Sequence, residues 1–237
     1  MKYKNSVLFV PEKFDSERQE VIETWISLGG IAIKIGKFWV KPDFDTTKKV
    51  AIYGNDTFAL VLAQVLNMNL VSVDDTLISN LDIKWTKRKI RITNLNKIEL
   101  NIFPIFIKPV IPKQFTAKTY NDLTEFLLST SNLAESENVI LSEIIQIECE
   151  LRSFVYQNKI LDSAIYEGNG EILEAQIFLH KFIESNSTIL PETFVIDLGF
   201  NQLQGWFIIE FNSSWAAGLN NCKAEKVIDS IVNATIN

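Results

Sequence analysis

The sequence is poor in the side chains on which much enzyme chemistry rests: 237 residues carry two cysteines, Cys149 and Cys222, and one histidine, His180. The cysteines lack metal-ligand spacing and only one histidine could join them, which argues against a zinc site and against a Ser-His-Asp triad. Two cysteines fit a reducing compartment. Long apolar runs are missing too. No stretch approaches the roughly 20 residues needed to span a bilayer. The run Val7 to Val10 is ended by Pro11 and Glu12, too soon for a signal-peptide core. A cytoplasmic protein with no membrane partner is therefore expected. Internal repeats, low-complexity tracts and long linkers are absent as well. Any chemistry must rest on carboxylates, lysine, arginine and backbone groups.

What is present is an ordinary globular composition, 47% hydrophobic and 22% charged, with 16 Phe and 5 Trp to fill a core. The net charge of −6 is unevenly spread, because Lys84 to Lys118 carries nine Lys or Arg against one acid, Glu99. A basic segment in an acidic protein suits an anionic ligand, such as a polyphosphate or a nucleic acid, or simply a solvated surface.

Apolar periodicity divides the chain into two parts. In the first, Val7–Val10, Ile31–Ile35, Val50–Tyr53 and Leu70–Val73 read as strands, and Ser16–Leu28 and Thr57–Leu66 as helices. This βαβ rhythm predicts a small parallel sheet over residues 1–83. In the second, Ile105–Lys108, Val139–Glu143, Leu151–Tyr156 and Lys159–Tyr166 read as strands and Glu171–Ser185 as a helix. Thr193–Leu198 and Trp206–Phe211 form a hairpin, and Lys223–Asn233 a closing helix. The fold class expected is α/β followed by α+β.

The hairpin carries the strongest chemical signal. Side chains alternate across a strand, so Glu210 and Asn212 share one face and Phe211 takes the other. If Asn201 pairs with Trp206, Asp197 lies directly across from Glu210. Three oxygen-bearing side chains then converge at the end of apolar strands. Two adjacent carboxylates repel unless something positive sits between them, a task that suits a hard cation such as Mg²⁺. Lys108 closes a buried strand and must find an anion or reach solvent; the loop after it brings Lys113 or Lys118 to the same place. Glu148, Glu150 and Arg152 share one face of another strand, either as a ribose and phosphate site or as a solvated surface with a Glu-Arg pair. Lys87, Arg88, Lys89 and Arg91 could bind phosphate, a carboxylate or RNA, although no aromatic residues interleave with them as in a stacking platform.

Taken in order, Lys87-Arg88, Phe106-Ile107-Lys108-Pro109, Ser142-Glu143, Glu150-Leu151-Arg152, Asp197 and Glu210-Phe211-Asn212 resemble the motif sequence of the ATP-grasp superfamily. The pattern is most similar to the small clade named for two arginines and a lysine, which here would be Arg88, Arg152 and Lys108. This resemblance implies an ATP-grasp fold over residues 84–237, with a lid subdomain over about 84–145 and a metal-binding subdomain over about 146–237. A small α/β domain over 1–83 would precede it. It implies ATP and Mg²⁺ as cofactors, with Lys108 on the phosphates and Glu143, Ile144 and Ile145 as the adenine-reading hinge. Glu150 would bind ribose, and Asp197, Glu210 and Asn212 the metal. Arg152 and Arg88 would stabilise the transferring phosphoryl group while Lys113 closes over it. The implied reaction joins a carboxylate of a small molecule, peptide or protein to an amine or thiol through an acylphosphate. An RNA-directed ATP-dependent enzyme and a non-catalytic nucleotide-binding module are the alternatives.

Overall fold

Val7, Leu8, Phe9 and Val10 are all fully buried, the mark of a strand covered on both faces. In the computed structural model, which describes residues 2–236, they form β1 (Ser6–Pro11), the middle of a parallel three-stranded sheet. After β1 comes α1 (Ser16–Ser27), whose first turn is capped by the Asp15 carboxylate accepting from the Arg18 amide. The outer strands are β2 (Ile31–Ile35) and β3 (Lys49–Ile52). Helix α2 (Asp56–Leu66) follows, capped by Asn55 and ended by Asn67 in the left-handed conformation. The expected strand Leu70–Val73 is not part of this sheet. Only β4 (Asn69–Leu70) is extended, and its partner is a C-terminal strand, because Trp215 and the chain end occupy the neighbouring space.

Residues 83–142 build the second sheet. A single helical turn, α3 (Ile83–Thr86), leads into β5 (Ile90–Asn94), β6 (Ile105–Pro109), β7 (Lys118–Tyr120), α4 (Leu123–Thr130) and β8 (Asn138–Ser142). The strands are antiparallel in the order β5-β8-β6-β7. Ile107, Tyr120, Phe126, Val139 and Leu141 fill the core under α4, each fully buried aromatic or aliphatic side chain contributing about 1.5–3 kcal/mol.

The third sheet runs β10-β9-β11-β12, again antiparallel. Its members are β9 (Cys149–Tyr156), β10 (Lys159–Gly168), β11 (Thr193–Asn201) and β12 (Gly205–Asn212), with α5 (Ile172–Asn186) between β10 and β11. Leu151, Val155, Phe194, Ile196 and Ile208 pack on Leu179 and Phe182 of α5. On the opposite face Phe154 and Val195 meet α6 (Ala224–Val232), which also packs against α1. The last strand, β13 (Thr235–Ile236), pairs with β4, so the end of the chain completes the core of its beginning. No helix among the described residues is long and apolar enough to cross a membrane.

Gly168 ends β10 at φ +71, and a Cβ there would lie 2.0 Å from the Glu148 carbonyl oxygen. Gly168→Ala should therefore cost more than the about 1–3 kcal/mol of a strained left-handed residue, read as a fall in the urea midpoint. A loss below about 0.5 kcal/mol would show that β10 can shift away from the preceding segment.

Candidate active site

The site begins with an irregularity in β12. Near the turn the hairpin pairs Asn201 with Gly205, Phe200 with Trp206 and Leu198 with Ile208; beyond it Asp197 pairs with Glu210. The expected anchor, Asn201 opposite Trp206, is thus displaced by one residue, and Ile209 is the extra residue that restores the expected Asp197–Glu210 pairing. The bulge has a functional consequence. A strand side chain changes face when the register slips by one. Trp206 and Ile208 face α5, and a regular strand would send Glu210 there too. With Ile209 inserted, Phe211 packs in the α5 core while Glu210 and Asn212 turn to the opposite face, beside Asp197.

On that face Asp197 is 2% exposed and opposite Arg152 on β9. Arg152 donates from Nε and Nη2 to the two Asp197 oxygens at 2.8 and 2.6 Å, and from Nη1 to the Gly218 carbonyl at 2.9 Å. Burial pushes the Asp197 carboxyl up from its ordinary value, and Arg152 pulls against it. Burial also works against the Arg152 charge, but the bonds to Asp197 hold that guanidinium above its ordinary value. Part of the positive charge expected between the carboxylates is therefore supplied by the protein. Asn212 Nδ2 lies 3.3 Å from Asp197 Oδ2 and 3.4 Å from Glu210 Oε1, so the three proposed metal ligands are brought together. Among the described residues Glu210 has no ion-pair partner, and no three His, Cys, Asp or Glu cluster in a metal-binding arrangement. A free carboxylate beside an amide and one shared carboxylate fits a hard cation that takes its remaining oxygens from a ligand.

Between the second and third sheets lies a slot of about 150 Å³, lined by Ile78, Ile90, Phe106, Ile140, Ile147 and Ile209, with Lys108 and Glu210 at one end. Its rim is the segment after β8. Glu143 there donates its N–H to the Lys89 carbonyl and accepts the Lys89 N–H on its carboxylate, at 3.0 and 2.9 Å. The Glu143 side chain is thus a staple for the rim. Ile144 and Ile145 line the slot, and no hydrogen bond within the described residues engages their backbone groups. Unpaired amide and carbonyl groups at the edge of an apolar slot match the polar edge of a flat aromatic ring.

The slot shares Ile78, Lys108 and Glu210 with a cleft of about 930 Å³ between α2, the second sheet and the third, lined by Asp56, Asp74, Asp75, Lys108, Lys113 and Glu210 among others. Lys113 Nζ lies 2.6 Å from Asp56 Oδ2, which ties the loop after β6 to the start of α2. Burial pushes the Asp75 carboxyl up, with Lys108 opposing. Neither Arg88 nor Arg152 lines this cleft. Arg88 is 9% exposed and stands in the wall of the slot, held by Ser142 and by backbone carbonyls. Glu150 lines neither cavity; its carboxylate accepts from the Tyr166 hydroxyl on the same face as Arg152. Of the residues singled out from the sequence, Lys108 and Glu210 thus line both cavities, Glu143, Ile144, Ile145 and Arg88 the slot, and Lys113 and Asn212 the cleft, while Asp197, Arg152 and Glu150 lie outside both linings. Phe106 and the partner role of Asp56 escape the sequence reading. Phe106 was within reach, since it alternates with Lys108 on one face of β6.

A protein-family model described as ATP-grasp domain, R2K clade family 2, matches residues 85–230. No protein of curated function matches the sequence. Among solved structures, the RimK domain ATP-grasp protein from Sphaerobacter thermophilus is 12% identical, with a TM-score of 0.62 over 96% of this chain and 99% of that one. D-alanine–D-alanine ligase from Bacillus anthracis, complexed with ATP, is 12% identical at TM-score 0.59, over 97% and 96%. Macrocyclase MdnC from Microcystis aeruginosa, bound with precursor peptide MdnA, is 11% identical at TM-score 0.53, over 96% and 99%. Identities this low establish a shared ATP-grasp fold, while the family match covers more than half of the sequence: the chain belongs to family 2 of the R2K clade of ATP-grasp domains.

Proposed function

We propose that this protein binds ATP with magnesium and joins a carboxylate to an amine or thiol through an acylphosphate. The observation that carries the reading is that Lys108 and Glu210 line both cavities, so one ligand can place a flat apolar ring in the slot and an anionic tail in the cleft. Ile144 and Ile145 would read the ring edge with their backbone. Lys108, without an ion-pair partner among the described residues, would hold phosphate oxygens. Glu210, Asn212 and Asp197 would hold the magnesium, which when bound neutralises charge on the transferring phosphoryl group. Arg152 keeps Asp197 oriented, and Lys113 covers the cleft from the loop after β6. The acid and the acceptor would lie in the remainder of the cleft, where positioning supplies much of the rate.

The fold relatives support this chemistry by analogy, one being an ATP-bound ligase of D-alanine and another a macrocyclase holding a precursor peptide. Small acids and peptides are accordingly the substrate classes to screen. The basic segment supports RNA less well, since Arg88 is buried and Lys113 and Lys118 are paired with Asp56 and Glu125. Two buried free cysteines suit a cytoplasmic setting. Calorimetric titration should give micromolar ATP binding in the presence of Mg²⁺, weakened at least about tenfold by Lys108→Ala, the loss of one charge-assisted contact. ADP release with a panel of carboxylates and amines then finds the substrates. A wild-type protein that binds no adenine nucleotide would sink the reading.

A further inference from the structure

Among the described residues Arg88 is the one buried guanidinium whose partners include no carboxylate. The chain is aimed inward just before it: Lys87 adopts the left-handed conformation at φ 53, and Thr86 Oγ1 donates to the Arg88 carbonyl at 2.8 Å. Among the described residues no acid lies within ion-pair distance, and burial pushes the guanidinium down to about 10. Instead its donors spread over four neutral acceptors. Nε donates to Ser142 Oγ at 2.9 Å, Nη1 to the carbonyls of Thr86 and Ile208 at 3.0 and 2.8 Å, and Nη2 to the carbonyl of Ile209 at 3.3 Å.

Two of these acceptors are the residues at which β12 departs from its register. An inserted residue in a strand leaves ladder groups unpaired, and β12 is the last strand of its sheet, with no further strand to satisfy them. The planar fork of Arg88 supplies those bonds from the connection between α3 and β5. Ser142 Oγ in turn donates to the Glu143 carbonyl at 2.9 Å, so the guanidinium is linked through Ser142 to the rim of the slot. We propose that Arg88 is a positioning residue for Glu210: by clamping the carbonyls of Ile208 and Ile209 it holds the bulge that turns the Glu210 carboxylate away from α5 and into the site. The proposal deepens the ligase reading, on which the role of Glu210 rests. It differs from a direct phosphate contact because its effect on the magnesium-binding end of the site passes through Glu210.

Two measurements on the full chain test it, each with Arg88→Met, which keeps the apolar stem, and Arg88→Lys, which keeps the charge. In the ligand-free protein, amide exchange across residues 207–211 should quicken at least about tenfold in Arg88→Met and less in Arg88→Lys, as local opening becomes easier. Titration of ATP with and without Mg²⁺ should show the magnesium-dependent gain in affinity lost in Arg88→Met. Affinity for ATP alone, which also senses the slot wall that Arg88 lines, should fall by a smaller factor than affinity for ATP with Mg²⁺, and Arg88→Met added to Glu210→Gln should cost the magnesium-dependent gain nothing further, as for residues that act as one unit. Unchanged exchange over 207–211 would overturn the proposal, as would equal weakening of ATP with and without magnesium. If Arg88→Met does not fold, Arg88→Lys decides by the same readouts. If the wild type binds no nucleotide, the ligase reading fails while the exchange result still judges whether Arg88 holds the bulge.

Discussion

Arg152→Ala should destabilise the protein by about 3–5 kcal/mol, the range for stripping one partner from a buried ion pair. The residue would leave Asp197, 2% exposed, with a carboxylate that only Asn212 still contacts at 3.3 Å. The loss should depend on pH, with a sign that follows from Asp197. Burial already pushes its carboxyl above the ordinary value and Arg152 opposes that push, so the variant's carboxyl rises further. A group whose folded pKa is raised adds stability below its unfolded value, about 3.9, and loses it as pH rises through the folded value. Urea denaturation should therefore find the deficit against wild type small near pH 4 and full at pH 8. Adding Asp197→Asn should recover part of the deficit at pH 8, because no charge is then buried alone. A deficit that is flat between pH 4 and pH 8 would mean that Arg152 acts by stacking on Tyr166 and donating to the Gly218 carbonyl rather than through Asp197.

Much of this site was legible because strands impose a period of two. Glu210, Phe211 and Asn212 declare their faces by alternation alone, and Lys108 at the end of an apolar strand declares an anion or solvent. Other features leave no local trace. Ile209 carries neither glycine nor proline to mark a bulge, so the Asp197–Glu210 pairing follows from a regular register that the hairpin does not have near its turn. Arg88 sits within Lys87-Arg88-Lys89 and reads as a cation for a phosphate, a carboxylate or RNA; its burial against backbone carbonyls depends on β12, some 120 residues away in sequence. The partner of Arg152 is likewise set by sheet order, since β9 lies next to β11 and not beside a solvated edge. The strands β5 and β7 and helix α4 are short and weakly patterned, so their apolar residues gain meaning only once Ile107, Tyr120 and Phe126 meet. The docking of α6 on α1 and of β13 on β4 joins opposite ends of the chain, a separation at which periodicity is silent.

Glu210→Gln isolates the charge that these devices place. Glu210 has no ion-pair partner among the described residues, and its one hydrogen bond in the protein, from Asn212, is long at 3.4 Å. The amide keeps the shape and can still accept that bond, so stability should change by less than about 0.5 kcal/mol, as for surface substitutions that break no network. Turnover should respond very differently. Electrostatic groups aimed at developing charge are worth about 10²–10³ each in rate, and a metal ligand acts in that way on every phosphoryl oxygen the cation touches. ADP release at saturating ATP and acid should fall by about that factor. Raising Mg²⁺ should recover part of it, because the lost carboxylate weakens the metal's hold more than it alters the site. Recovery by magnesium separates a ligand from a general base, whose loss no concentration of cation repairs. If turnover in Glu210→Gln stays within about twofold of wild type at limiting Mg²⁺, the carboxylate is not a metal ligand. Asp197 and Asn212 would then have to hold the cation alone, beside a guanidinium already bonded to both oxygens of Asp197.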